Sequence, residues 1–182
     1  MSASNYFNAG ELLTIVSNTS ATAGNGTADF EIEKIQGPTA IAASEPVAAK
    51  YWETTGQNIP SSTATIVNFT GKKDDTHGSV TTGPSWKFVA PIYGRYLVTS
   101  QLALQSGTGG GSLYAYIYVN DTEASRNWIN AGSAAAPWSI NITDYHVLNA
   151  GDKVDIRTLQ NSGASRALTG NQTCYVSIIK VG

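Results

Sequence analysis

A chain of 182 residues has room for one well-buried domain, or for one domain with an arm. Only 13 % of its residues are charged, about half the usual fraction of a globular protein, and the net charge is −2. No basic patch is available to neutralise phosphates, and no apolar run approaches the roughly 20 residues of a membrane helix, which argues against nucleic-acid and membrane partners.

The first 45 residues read as a segment apart. FNAGELLTIVS is apolar with little alternation, NTSATAGNGT has the composition of a linker, FEIEKI has room for one strand, and QGPTAIAASEP is loop-like. The segment is too small to bury a core of its own. Phe7, Leu12, Leu13 and Ile15 favour an arm packed on another surface over a loose tail. The start, MSASNYFNAGELLTIVSN, lacks a basic region followed by an apolar core, so synthesis in a cytoplasm is expected.

From residue 46 onward, period-two alternation dominates. Val47 to Trp52 reads as a short strand, broken by TTGQNIPSS. Thr63 to Phe69 reads as the next strand, and TGKKDDTHGS as a polar loop. Trp86, Phe88 and Ala90 share one face of a strand that Pro91 ends, because proline has no N–H to donate to a ladder. APIYG is then a turn in which Gly94 is expected to supply a positive φ. Tyr96, Val98, Ser100, Leu102 and Leu104 alternate along the returning strand, and SGTGGGS is a slack loop.

In LYAYIYV, Leu113, Ala115, Ile117 and Val119 face one side, while Tyr114, Tyr116 and Tyr118 face the other. A weaker strand is expected around Arg126 to Ile129. WSINITDYHVL, the turn NAGDK, VDIRTLQ, the loop NSGASR and a last strand from Thr173 to Val181 follow. No helix of ordinary length and no internal repeat is visible. About eight to ten short strands with Gly, Pro and Asn turns predict an all-β sandwich or jelly roll.

The side chains offer little chemistry. Cys174 is the lone cysteine, so no intrachain disulfide forms, and within TCYVSIIKV it reads as a small buried hydrophobe. His77 lies in DDTHG with Asp74 and Asp75, and His146 lies near Asp144. These read as polar turn residues, since neither a nucleophile nor a paired acid accompanies them. One Cys and two distant His lack zinc-ligand spacing, and KKDDTHG lacks the ordered ladder of a calcium loop. No enzymatic activity and no cofactor are expected. Six Asn-x-Ser/Thr triplets read as chance in an Asn- and Thr-rich chain.

Phe69, Asp75, Val80, Phe88, Gly94 and Tyr96 stand at the spacing of a known signature, with Val80 in place of a larger residue and one extra residue before Phe88. LNAGDKVDI and the closing YVSIIKV add a turn and a last strand to the match. In these features residues 46–182 resemble the C1q/TNF-like jelly-roll family. The resemblance implies a jelly roll of about ten strands that assembles as a homotrimer, with Phe69, Phe88, Gly94 and Tyr96 as signature core.

The collagen-like stalk of animal members is not seen, and WKFVAPIYGRY looks more like the versions in bacteriophage virion proteins. Tyr114, Tyr116 and Tyr118 make an all-aromatic strand face. It is favoured as a trimer interface over cover by a loop of the same subunit or a sugar-stacking platform. These points lead to the expectation of a trimeric capsid decoration or cement protein, located in the virion, whose N-terminal arm binds the major capsid protein. The alternative is the tip of a tail fibre that binds a host-cell surface receptor or glycan, with Trp128 and Trp138 in contact. A free signalling ligand is the weakest of the three.

Overall fold

The computed structural model describes residues 46–107, 109–132 and 136–181. The residues expected to anchor the arm, Phe7, Leu12, Leu13 and Ile15, lie outside the described residues. Thirteen strands follow one another among those described. They are β1 Ala48–Trp52, β2 Asn58–Ile59, β3 Thr65–Ile66, β4 Gly71–Asp75, β5 Val80–Thr81, β6 Lys87–Val89 and β7 Gly94–Leu104, then β8 Gly111–Val119, β9 Thr122–Gly132, β10 Trp138–Leu148, β11 Lys153–Gln160, β12 Arg166–Ala167 and β13 Tyr175–Lys180.

They form two antiparallel sheets packed face to face. One sheet has the order β10, β7, β13, β1, β4, and the other β5, β6, β11, β8, β9 with β3 beside β11. The small pair β2 and β12 lies off both. Strands distant in sequence are neighbours in space, as in a jelly roll: β13 sits between β1 and β7, and β11 between β6 and β8.

The core lies where the alternating residues of the two sheets meet. Tyr96, Val98 and Leu102 of β7, Val176 and Ile178 of β13, and Ile140 and Ile142 of β10 face Phe88, Val154, Ile156, Leu113, Ala115 and Ile117 of the second sheet. Phe69 and Trp86 meet edge to face with ring centroids 5.2 Å apart, as Phe88 and Tyr96 meet at 5.7 Å in a tilted pair. Aromatic pairs of this geometry contribute about 0.5–1.5 kcal/mol beyond burial. Phe69, Phe88, Gly94 and Tyr96 are thus all buried, and three of them are ringed side chains in mutual or neighbouring contact.

The connection between β6 and β7 is a turn, as its proline suggests, but the role of Gly94 differs from the expected one. Its φ is not among the positive values; the site is instead closely packed, and a Cβ there would run into the end of the Lys180 side chain. The turn is pinned by the Tyr96 hydroxyl, which donates to the Ile92 carbonyl at 2.7 Å. The Asn120-Asp121 connection between β8 and β9 has φ of 50° and 63°, the left-handed pair of a tight hairpin that Asn and Asp tolerate best.

Six strands depart from the pattern-based expectation: β3 keeps only Thr65–Ile66 of the strand expected from Thr63 to Phe69, and β5 is not among those expected. KKDD is not a loop but most of β4, paired with β1 at a sheet edge, where exposed charge is compatible with a strand. The weak strand near Arg126 is the 11-residue β9, exposed along most of its length. The break TTGQNIPSS holds both residues of β2, and NSGASR ends in Arg166, the first residue of its partner β12. β4 and β9 bury little on either face, so alternation is absent from them, while β2 and β12 are two residues long and too short to show it.

Candidate functional site

The outward faces of the two sheets differ sharply. On the first, Tyr145 of β10 lies opposite Leu97 of β7, and Leu97 lies opposite Ile179 of β13. These three are 61 %, 36 % and 42 % exposed, and Val147 and Val181 extend the row. Arg95 stands between the last two: Val147 is its cross-strand partner, Val181 donates its amide to the Arg95 carbonyl, and the guanidinium lies 6.0 Å from the Tyr145 ring. A shallow groove lined by Tyr93, Gly94, Arg95 and Val181 continues this apolar end of the sheet. The other end of the same face is polar, with Thr143, Thr99 and Ser177 side by side.

Tyrosines expected to form the trimer interface stand on the second sheet, along the middle of its outward face. Tyr114 and Tyr116 stack with planes 7° apart and centroids 6.0 Å apart, and Tyr116 meets Tyr118 edge to face at 6.1 Å. Trp128 of β9, directly opposite Tyr114, continues the stack at 6.2 Å. Arg157 of β11 closes the other end, its guanidinium 3.9 Å from the Tyr118 ring. Asp155 holds that guanidinium at 2.7 and 3.0 Å, and Asp121 at 2.9 Å. These bonds raise the Arg157 pKa, Asp155 foremost. Tyr116 is nearly covered, and burial foremost raises its phenol pKa, whereas Trp128 is 57 % exposed. The tyrosines are therefore covered largely by each other and by Arg157. The Arg157 cap has no signature in the sequence, because it depends on β11 pairing beside β8.

The titratable residues of the loops are engaged in structural bonds. Asp75 accepts the Tyr51 hydroxyl at 3.0 Å and the amides of Ser79 and Val80. Thr76 and His77 share a hydrogen bond of 2.7 Å. Asp144 accepts the Ser125 hydroxyl, which is the largest cause of its lowered pKa, and the Tyr145 amide. That contact and the bond from the Asn127 amide to the Asn141 carbonyl tie edge strand β9 to edge strand β10. Trp138 is buried beneath the Arg166 guanidinium, 4.0 Å from its ring, so it presents no contact surface. Among the described residues, no group of three or more His, Cys, Asp or Glu is placed to hold a metal ion.

No protein-family model matches this chain, and no curated protein matches it. Among solved structures it is similar to Eiger, a TNF from S. frugiperda, with a TM-score of 0.57 and 16 % identity, over 75 % of this chain and 93 % of the other. At that identity the likeness shows the fold alone. The protein is an all-β domain of C1q/TNF-like jelly-roll fold.

Proposed function

We propose that this protein is a virion structural protein without enzymatic activity, a homotrimer whose jelly rolls form a knob on the outside of a bacteriophage capsid and stabilise the shell. The observation that carries the trimer is the row Tyr145, Leu97 and Ile179 with Val147 and Val181, apolar side chains gathered on an exposed sheet face. Isolated exposed apolar residues need no explanation, but a contiguous group bordered by Thr and Ser has the make-up of a buried interface centre with a polar rim. This row is a better candidate for the subunit contact than the tyrosine column, whose rings already cover one another.

The step from trimer to capsid draws on symmetry and on the resemblance of WKFVAPIYGRY to phage virion domains. A trimer matches the local three-fold positions of an icosahedral shell, so three equivalent anchoring segments would meet three equivalent major capsid subunits. Counting this chain against the major capsid protein in purified particles tests the reading. A ratio within a few-fold of the shell subunit is expected. A ratio sufficient only for fibres would move the protein to a receptor-binding tip, and absence from particles would sink both.

A further inference from the structure

We propose that the outward face of β8, β9 and β11 binds a neutral saccharide, with Trp128 as the stacking platform. The inference does not rest on capsid decoration: the surface is on the opposite sheet from the Leu97 row, and its test reads ligand binding, not particle composition.

The indole of Trp128 is held from one side only. Tyr114 takes one face, with planes 22° apart, and Asn127 fixes the backbone by accepting the Trp128 amide at 2.9 Å. More than half the residue is nevertheless open to solvent. A pyranose presents one flat side of C–H groups and a rim of hydroxyls, so it needs an aromatic face beside neutral polar groups. The neighbouring positions supply them. In register, Ser112 pairs with Asn130 beyond the platform, and Tyr114 and Tyr116 follow behind it. Among the described residues, the hydroxyls of Tyr114, Tyr116 and Tyr118 make no hydrogen bond within the chain, although Tyr51 and Tyr96 each use theirs.

Charge selects the class of ligand. Beside the platform Arg126 pairs with Glu123 at 3.3 Å, and Arg157 is shared by Asp155 and Asp121, so two cations there face three carboxylates. No excess of positive charge gathers next to Trp128 to hold an acidic glycan or a nucleic acid. The stacked column also fixes the platform before binding, which reduces the ordering cost that weak ligands have to overcome.

The test is saturation-transfer NMR on the full-length chain with methyl glycosides of glucose, galactose, mannose and N-acetylglucosamine and their disaccharides. At least one is expected to receive saturation on its ring C–H protons. Affinity should fall by roughly tenfold or more in Trp128→Ala, as expected for loss of a main aromatic contact, and partly recover in Trp128→Phe. Loss of the Tyr114 stack should lower the melting temperature only slightly, and the elution volume should stay the same. No transfer to any of these sugars would overturn the proposal, as would transfer that persists in W128A. Binding confined to acidic sugars and lost in salt would also overturn it. A change in oligomeric state in W128A would mark the face as an interface between copies, and that too would overturn it.

Discussion

Tyr51 illustrates how a single buried hydroxyl makes stability depend on pH. Burial, then the bond to Asp75, pushes its phenol up to about 12, against about 10 in an unfolded chain. The unfolded state therefore ionises first. The stability this difference carries is complete below pH 10 and is lost as pH rises from 10 to 12, to the extent of about 2 kcal/mol. Tyr51→Phe should be less stable at pH 8, having lost a hydrogen bond of about 1 kcal/mol, yet show a shallower fall in melting temperature above pH 10. Thermal melts of both proteins across that range check the sign.

Cys174 makes the complementary case. It is fully buried, and desolvation foremost pushes its thiol up to about 11. The thiolate is the reactive form, so the native protein should not react with a disulfide reagent at pH 8, whereas the denatured chain should titrate one thiol. Rapid labelling of the native state would contradict the burial.

Among connecting segments, the one after β1 is organised by one carboxylate. Glu53 is fully buried and accepts the amides of Thr55 at 2.7 Å and Gly56 at 2.9 Å, together with the Thr55 hydroxyl at 2.5 Å. Glu53→Gln turns an acceptor into a group that is half donor, set against amides and a hydroxyl that all donate to it. A loss of about 1–3 kcal/mol is expected in denaturant melts. Gly71 in β4 serves a different need. The Trp52 indole lies across it, so that any Cβ would collide with the ring. Gly71→Val should displace the indole, red-shift tryptophan emission and cost about 1–3 kcal/mol, the usual penalty for overpacking. Neither role was legible in the sequence. Both depend on what a folded neighbour places above them: Glu53 on the segment that follows it, and Gly71, within a stretch that reads as a polar loop, on the Trp52 indole. β4 and β9 were missed or shortened for a related reason: their residues take strand geometry from ladder bonds at an edge, without a buried face to impose alternation.

The proposed assembly rests on register across three strands. Leu97→Arg places a charge between Tyr145 and Ile179 and should convert the proposed trimer to monomer in light scattering, with the melting transition of the jelly roll retained. An unchanged trimer would move the interface elsewhere. Single out-of-phase apolar residues in β7, β10 and β13 were visible along the chain. Nothing in the one-dimensional pattern showed that they stand in one line, because pairing register between distant strands is set by the packing of the whole sandwich.

The sequence by itself determined what repeats locally: period-two alternation placed the core faces of β6, β7 and β8, Pro91 ended β6, and Asn120-Asp121 closed a hairpin. These follow from backbone sterics and from the burial of every second side chain, which need no knowledge of distant residues. Only the tertiary structure decided which outward face is apolar, that Arg157 caps Tyr118, and that Gly94 does not serve through a positive φ but lies under the Lys180 side chain. These depend on strands distant in sequence lying side by side, such as β11 beside β8 and β13 beside β7, an arrangement the jelly-roll connections impose and no local pattern contains.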